Sequence, residues 1–265
     1  MCTLVVLRRP GHRWPLLMAA NRDEMAARAW QPPARHWPDR PEVVAGLDET
    51  AGGSWLGLND HGVAAAILNR VNSLGPAAGK RSRGELVLEA LDHAEAAEAA
   101  KALGELNAAA YRSFNLVVAD AEQAFWLRNQ DDDTTSAIER FALPEGLSML
   151  TAHDRNDMTS PRIRDYLPRF AQVPEPEPDS GNWSAWTALL GSRVQDKDEG
   201  ALSAMTVVTE RGFGTTSSAL IALPDMTREP LTGTAEEGPA PPPRPVFLFA
   251  PGRPDETAYA PVDLD

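Results

Sequence analysis

The sequence feature that most constrains the fold is a strand–turn–strand pattern at the start of the chain. Residues 2–7 (CTLVVL) are apolar and rich in β-formers, which favours a strand, and residues 15–20 (PLLMAA) form a second apolar run. Residues 8–12 (RRPGH) lie between them and have the composition of a turn. If the two strands pair around this turn, the numbers of opposed residues sum to roughly 23. The pattern therefore predicts a hairpin that places Cys2 near Asn21.

This hairpin would bring a polar tetrapeptide, Asn21-Arg22-Asp23-Glu24, beside Cys2. Cys2 is the only cysteine in 265 residues, and loss of Met1 would make it the N-terminal residue. Its own α-amino group, which titrates near neutrality, would then be a candidate base for the thiol. Arg22 could stabilise the thiolate, and Asp23 could bind the amino group or orient Arg22. An ordinary chain-start cysteine next to a solvated turn with a surface ion pair fits the spacing equally well.

A second predicted hairpin spans residues 51–69. Its turn at residues 59–62 (NDHG) separates two apolar runs and is a strong hairpin signal. Pairing about this turn sets Gly52-Gly53 near Asn69. The two glycines would either let the backbone approach a ligand closely or form a strained turn. Asn69 ends its strand as Asn21 does, which by itself is typical of a strand-end cap.

Three of these features together resemble the NRDE-motif family, the transport-and-Golgi-organisation family. They are Cys2, the tetrapeptide at residues 21–24 and the segment Gly52-Gly53-Ser54-Trp55-Leu56-Gly57. More distantly, that family is similar to the N-terminal-nucleophile hydrolases of the choloylglycine and penicillin V acylase type. The match covers most of the chain and is strongest up to about Asn69. The resemblance implies one domain over residues 1–265 with an α+β fold, a four-layer αββα sandwich.

The resemblance also implies roles for particular residues. The implied catalytic set is Cys2 as nucleophile with Arg22, Asp23 and Asn69, whose counterpart in the acylases donates a hydrogen bond to the oxyanion. The implied substrate-binding set is Asn21, Gly53, Trp55, Asn115 and His153.

Two positions depart from the family patterns. His153 follows a predicted strand at residues 147–151, where the acylases carry an asparagine that helps to bind the oxyanion. A histidine there could be a donor, a base, a substrate contact or a hydrogen-bonded loop residue. Thr216 stands where the family often has an arginine, so the resemblance does not extend to anion recognition at that position. Asn115 lies in a third predicted hairpin and is a weaker candidate.

The remaining pattern favours helices outside two sheets, since strand-rich segments dominate both ends of the chain. A basic cluster at residues 80–83 (KRSR) would either meet an anionic substrate or lie in a solvated loop before the first predicted helix. Proline-rich connectors occur near residues 174–178 and 239–245. Predicted helices cover residues 82–106, 160–170 and 184–190, and predicted strands cover residues 43–46, 205–209, 217–223 and 246–250.

Composition narrows the classes of function. A formal net charge of −13 argues against nucleic-acid binding, because phosphate contacts need a basic face. No apolar run approaches the roughly 20 residues of a membrane span. One cysteine and a start without a signal-peptide pattern favour a reducing, cytoplasmic location. No cofactor is required, and no ligand set indicates a metal; the acidic run at residues 131–135 has no matching partners.

Two functional hypotheses from different classes follow. The first is an N-terminal cysteine amidohydrolase or acyl-transfer enzyme that acts on a small amide or thioester. The second is a non-catalytic binding or transfer protein on the same fold, with haem or a lipid-like molecule as ligand. In that case Trp55 and Met18 would line an apolar pocket, and Cys2 or His153 would contact haem iron. The sequence leaves the substrate and the oligomeric state open.

Overall fold

Two antiparallel sheets stack face to face in the centre of the molecule. The computed structural model describes residues 2–130, 137–225 and 244–265. Within these ranges the first sheet has the strand order β10 (Gly146–Leu150), β1 (Thr3–Arg8), β2 (Leu16–Met25), β11 (Phe213–Leu223), β12 (Val246–Ala250) and β13 (Ala260–Pro261). The second has the order β3 (Trp30–Ala34), β4 (Val43–Asp48), β5 (Leu56–Asn59), β6 (Ala64–Asn69), β7 (Phe114–Ala119), β8 (Ala124–Asn129) and β9 (Glu139–Ala142).

Helices cover the outer faces of both sheets. They are α1 (Gly84–Leu91), α2 (Ala96–Gly104), α3 (Pro161–Gln172) and α4 (Ser184–Leu190), with 3-10 turns at Ala108–Ala110, Pro178–Ser180 and Gly200–Ser203. Helices α1 and α2 pack on the second sheet, and α3 and α4 pack on the first. Each of the three interfaces between layers has its own cluster of buried apolar side chains. The arrangement confirms the predicted αββα sandwich.

The alternation of side chains along β1 explains why the first sheet needs cover on both faces. Leu4 and Val6 point into the cluster between the sheets, whereas Val5 and Leu7 point into the cluster under α3 and α4. All four are at most 4% exposed. Burial of apolar side chains on both faces of such a strand stabilises the fold by about 25 cal/mol per Å² of apolar surface removed from water.

The first two predicted hairpins form nearly in the expected registers. Strands β1 and β2 pair Thr3 with Asn21, one residue from the predicted register, so the continued register sets Cys2 opposite Arg22. Strands β5 and β6 pair Leu56 with Ala66, the register that was predicted. The third hairpin, β7 and β8, is also confirmed. The tetrapeptide at residues 21–24 lies inside strand β2, and its first three side chains are buried, so it is not a solvated turn.

Several predicted elements needed correction. The helix predicted over residues 82–106 is two helices, because Asn59 Nδ2 donates to the carbonyls of Leu91 and His93 and thereby closes the end of α1. The proline-rich stretch after Trp30 is the edge strand β3, where a missing N–H is tolerated.

Residues 205–209, predicted as a strand, form only an isolated bridge from Val208 to Gly214. The tail after Pro251 adds the short strand β13 to the edge of the first sheet. The acidic run at residues 131–135 lies outside the described residues, as does most of the connector at 239–245.

Candidate active site

Cys2 lies at the end of the sandwich where β1 begins, opposite the end that carries the hairpin turns. Its Sγ donates a weak hydrogen bond to the carbonyl oxygen of Asp23 at 3.7 Å. Burial raises the pKa of the Cys2 thiol above its ordinary value; the charge of the Asp23 carboxylate acts in the same direction. The positive chain terminus and Arg22 lower this pKa but do not compensate for the burial.

Arg22 is held against aromatic rings instead of a carboxylate. Its guanidinium carbon lies 4.4 Å from the ring centroid of Trp55 and 6.0 Å from that of Trp30. Arg22 Nη1 donates to Thr216 Oγ1 at 3.0 Å. Burial, which leaves Arg22 5% exposed, lowers the pKa of its guanidinium. Arg22 lowers the pKa of the Cys2 thiol, as expected, but burial of the sulfur raises this pKa by more.

Asp23 forms a buried ion pair with a residue that the sequence argument did not select. Arg162 Nη1, on the first turn of α3, lies 3.0 Å from Asp23 Oδ2, and the exposures of the two side chains are 3% and 0%. Thr215 Oγ1 donates to Asp23 Oδ1 at 2.7 Å, and Arg162 Nη1 also donates to Thr3 Oγ1 at 2.6 Å. This network ties α3, β1, β2 and β11 together beneath Cys2.

Two cavities meet at Cys2. A narrow cavity of about 20 Å³ lies between the sheets and is lined mainly by apolar side chains. A wide groove of about 810 Å³ opens on the other side. Cys2, Arg22 and Trp55 line both. A reacting group at the sulfur could therefore place one substituent in the narrow cavity and the other in the groove.

Most of the predicted site residues surround these cavities. Asn69 lines the groove at the end of β6, and its amide forms no hydrogen bond with another described residue. Asn21 lines the narrow cavity, but its Nδ2 donates to the carbonyls of Leu190 and Met205, so this amide joins β2 to the α4 side. Cys2, Arg22, Asp23, Asn69 and Trp55 thus line one groove; the first hairpin predicts the nearness of Arg22 and Asp23 to Cys2, and the family resemblance implies that of Asn69 and Trp55.

Gly53 has a packing role in the described structure. A Cβ at this position would lie 2.5 Å from the carbonyl carbon of Gly84, at the start of α1. The close approach that the glycine pair allows is therefore to another backbone, and Gly53 lines neither cavity. Gly52, with φ of +71°, makes the turn.

Asn115 and His153 lie beside each other but line neither cavity. Asn115 is fully buried, and its Nδ2 donates to the carbonyls of Thr151 and His153 at 3.0 and 2.8 Å. Its Oδ1 accepts from Trp126 and Arg70. The His153 ring faces the Asp157 carboxylate at 3.6 Å. Both residues order the loop after β10.

Four other residues complete the site. Arg83 and Arg112 line the groove, and the buried Ser217 hydroxyl lines the narrow cavity without a hydrogen-bond partner among the described residues. Arg162 is the fourth, through Asp23. One signal was available for Arg162, which occupies the apolar face of its predicted helix. Arg83 belongs to the basic cluster at residues 80–83, whose solvated-loop interpretation does not fit its partly buried side chain.

The described residues contain no group of three or more His, Cys, Asp or Glu side chains placed to hold a metal ion. Nor is any helix in those parts of the chain both long and apolar enough to cross a membrane.

Solved structures define the class of fold. The Caenorhabditis elegans N-acylethanolamine-hydrolyzing acid amidase ortholog superposes with a TM-score of 0.51 at 12% identity, covering 83% of this chain and 92% of that chain. A variant of conjugated bile acid hydrolase from Clostridium perfringens gives 0.52 at 13% identity, covering 100% of this chain and 94% of that chain. The molecule therefore has the fold of the N-terminal-nucleophile hydrolases.

Within that class, the chain belongs to the Transport and Golgi organisation 2 family, whose model matches residues 1–228. The bovine Transport and Golgi organization protein 2 homolog is 38% identical over 119 residues, which are 40% of this chain and 38% of that protein. The human homolog is 36% identical over 117 residues, 41% of this chain and 40% of that protein. The matched segment thus spans about two fifths of each curated relative.

Proposed function

We propose that the protein is an N-terminal cysteine hydrolase or acyl-transfer enzyme that acts on a small amide or thioester. The observation that carries this proposal is the position of Cys2, which lines both the narrow cavity and the wide groove. An acyl group in the first and a leaving group in the second would place a carbonyl carbon at the sulfur. The two solved structures of the same fold are named as an acid amidase and a bile acid hydrolase, which agrees with this chemistry.

The proposed reaction starts after removal of Met1. The free α-amino group of Cys2 accepts the thiol proton as Sγ attacks the carbonyl carbon. The negative oxygen that forms is held by the unused amide of Asn69 and a backbone N–H. Its collapse breaks the C–N or C–S bond, and the leaving amine or thiol takes the proton. Water then attacks the thioester on Cys2, which releases the acid and restores the thiol.

The other site residues would position the reactants. Asp23, fixed by Arg162 and Thr215, keeps the carbonyl oxygen that accepts from Cys2 in place. The narrow cavity holds about one water molecule at its present volume, so it favours a short acyl group. Ser217 supplies the only hydroxyl in that cavity, in the part of the chain described, that lacks a partner.

The test uses protein whose Met1 has been removed, verified by intact mass. Purified protein is screened against amide and thioester libraries, and any hydrolysis found is repeated with Cys2→Ala and Cys2→Ser. We expect both variants to lose at least about a thousandfold in rate, as for other activated nucleophiles. Hydrolysis that is unchanged in both variants would disprove Cys2 as the nucleophile.

The raised thiol pKa favours a second candidate, a non-catalytic carrier for haem or a lipid-like ligand. With a single cysteine, such a carrier would suit a reducing, cytoplasmic setting. A protonated thiol is a poor nucleophile, and a groove of about 810 Å³ is large enough for such a ligand. Haem titration followed by absorbance and lipid extraction of the purified protein test this candidate. A saturable spectral shift that Cys2→Ala removes would support it, and an empty extract with no shift would eliminate it.

A further inference from the structure

The groove beside Cys2 carries the opposite charge to the rest of the protein. Among the described residues, six cationic side chains line it against three carboxylates, although the whole chain has a formal net charge of −13. The three carboxylates already have cationic partners: Asp23 pairs with Arg162, and Glu24 and Asp48 pair with Arg28. These acids therefore do not neutralise Arg22, Arg83 or Arg112.

Three guanidinium groups in the groove, those of Arg22, Arg83 and Arg112, form no ion pair with a carboxylate of the described residues. Arg83 Nη1 donates to the Ser73 hydroxyl and the Ser113 carbonyl, both at 2.9 Å. Its Nε and Nη2 form no hydrogen bond within the described chain. Arg112 donates only to backbone carbonyls of the loop at residues 72–75. Both arginines are thus held in place by neutral groups, with their charges uncompensated.

The neighbouring residue Arg81, in contrast to Arg83 and Arg112, has carboxylate partners. Its Nε lies 2.6 Å from Glu85 Oε1, and its Nη2 lies 3.6 Å from Glu89 Oε1, so it is paired within its own helix region. Burial and the nearby charge of Arg112 lower the pKa of Arg83 to about 10. Two cations held close together and partly desolvated are costly unless an anion joins them.

The geometry points to an anion-binding subsite in this groove, in which Arg83 and Arg112, with Arg22 nearer to Cys2, hold a carboxylate or phosphate group of the ligand. Guanidinium groups suit this task because their planar donors match both kinds of oxyanion. If the proposed function holds, the substrate carries its anionic group on the leaving-group side, since the groove lies opposite the narrow cavity.

Direct binding tests the subsite without relying on catalysis. Pyrophosphate and succinate are titrated separately into the full chain by calorimetry, which distinguishes phosphate from carboxylate recognition. We expect at least one to bind, and we expect Arg83→Gln and Arg112→Gln each to weaken that binding about tenfold, since each removes charge-assisted hydrogen bonds. Arg140→Gln is the matched control, because Arg140 is exposed on β9 and does not line the groove.

A covalent readout on the single cysteine gives an independent measure. Iodoacetate and iodoacetamide differ mainly in charge, and each mass shift reports on Cys2 alone. We expect the ratio of their alkylation rates to be several-fold higher for the folded protein than for the urea-unfolded chain, and to fall in Arg83→Gln and Arg112→Gln. Arg83→Lys, which keeps a charge, should restore part of the ratio if the fold is intact by circular dichroism.

The outcomes separate this inference from the proposed function. Binding of pyrophosphate or succinate by the unsubstituted protein, with no Cys2-dependent hydrolysis of any substrate in the libraries, supports the subsite and contradicts the hydrolase. Cys2-dependent hydrolysis of neutral substrates, with neither anion bound, supports the hydrolase and overturns the subsite. Equal weakening by Arg83→Gln and Arg140→Gln would also overturn it, because the effect would then reflect overall charge.

Discussion

The two ends of the sandwich differ in whether their charged side chains have partners. At the hairpin-turn end, a cavity of about 450 Å³ is lined by acidic residues such as Asp60 and Asp120, and these have structural partners. Asp60 pairs with Arg35, and Asp120 accepts from the backbone N–H groups of Ala96, Glu122 and Gln123. At the Cys2 end, Arg22, Arg83 and Arg112 lie in a larger groove without carboxylate partners among the described residues.

The difference teaches how to separate structural charges from functional ones in this fold. A carboxylate that caps a turn is already satisfied and gains little from a ligand. A partly buried guanidinium with unused donors is unsatisfied, and a ligand anion would compensate it. Since strand ends from both sheets meet at the Cys2 end, that end is also where side chains of distant segments converge.

The largest expected effect comes from the buried ion pair at the Cys2 end. Replacing Arg162 with Met leaves the Asp23 carboxylate buried without its cation, and we expect a loss of about 3–5 kcal/mol in the free energy of unfolding. The matched change at the turn end is Arg13→Gln, which breaks the more exposed Arg13–Asp179 pair and should cost less than about 1 kcal/mol. Urea denaturation measures both. Equal losses would remove the energetic distinction between the two ends.

The next largest difference in stability is expected between two Gly→Ala variants, one at each end of the sandwich. Gly53→Ala at the Cys2 end would force a Cβ against the Gly84 backbone, with an expected cost of about 1–3 kcal/mol. Gly62→Ala at the turn end meets open space, so only its φ of +82° opposes the change, at about 1 kcal/mol. Thermal unfolding of the two variants provides the comparison. A greater loss for Gly62→Ala would contradict the close packing of Gly53 on α1.

The variant Asp120→Ala tests whether the acidic residues at the hairpin-turn end have a purely structural role. Asp120→Ala removes the acceptor for the first N–H of α2 and for two turn N–H groups, so we expect a loss of about 1–2 kcal/mol. Hydrogen exchange should become faster in the first turn of α2. Alkylation of Cys2 should keep its rate, because Asp120 lies at the other end of the strands. A change in Cys2 reactivity would instead couple the two ends.

The smallest expected effect is a change in the alkylation rate of the Cys2 thiol. Arg22 lowers the pKa of Cys2, so Arg22→Gln should raise that pKa further and slow alkylation near pH 8 about threefold. The difference should vanish at a pH above both values, where the thiolate predominates in both proteins. Rates of iodoacetamide labelling from pH 7 to 11 measure this, with Arg22→Lys as the charge-preserving control. Faster labelling of Arg22→Gln at pH 8 would mean that Arg22 shields the sulfur instead of stabilising the thiolate.

The first quarter of the chain could be predicted well because its contacts are local. Strand pairing in a hairpin is fixed by the turn and by the two-residue period of the side chains, so counting predicted the register of β1 with β2 to within one residue and the register of β5 with β6 as observed. The roles of Asn115 and His153 rested on family resemblance, and the structure places both outside the two cavities at Cys2.

The sequence by itself determined the hairpin registers and the placement of Arg22 and Asp23 near Cys2, because periodicity and turn chemistry act over short distances. The four-layer αββα arrangement and the position of Asn69 at the same end were implied by family resemblance. Only the tertiary structure decided the charge partners. Arg162 is 139 residues from Asp23, and no local pattern relates them. The same holds for burial of the Cys2 sulfur and for the unpaired arginines of the groove, since desolvation depends on which layers close over a residue.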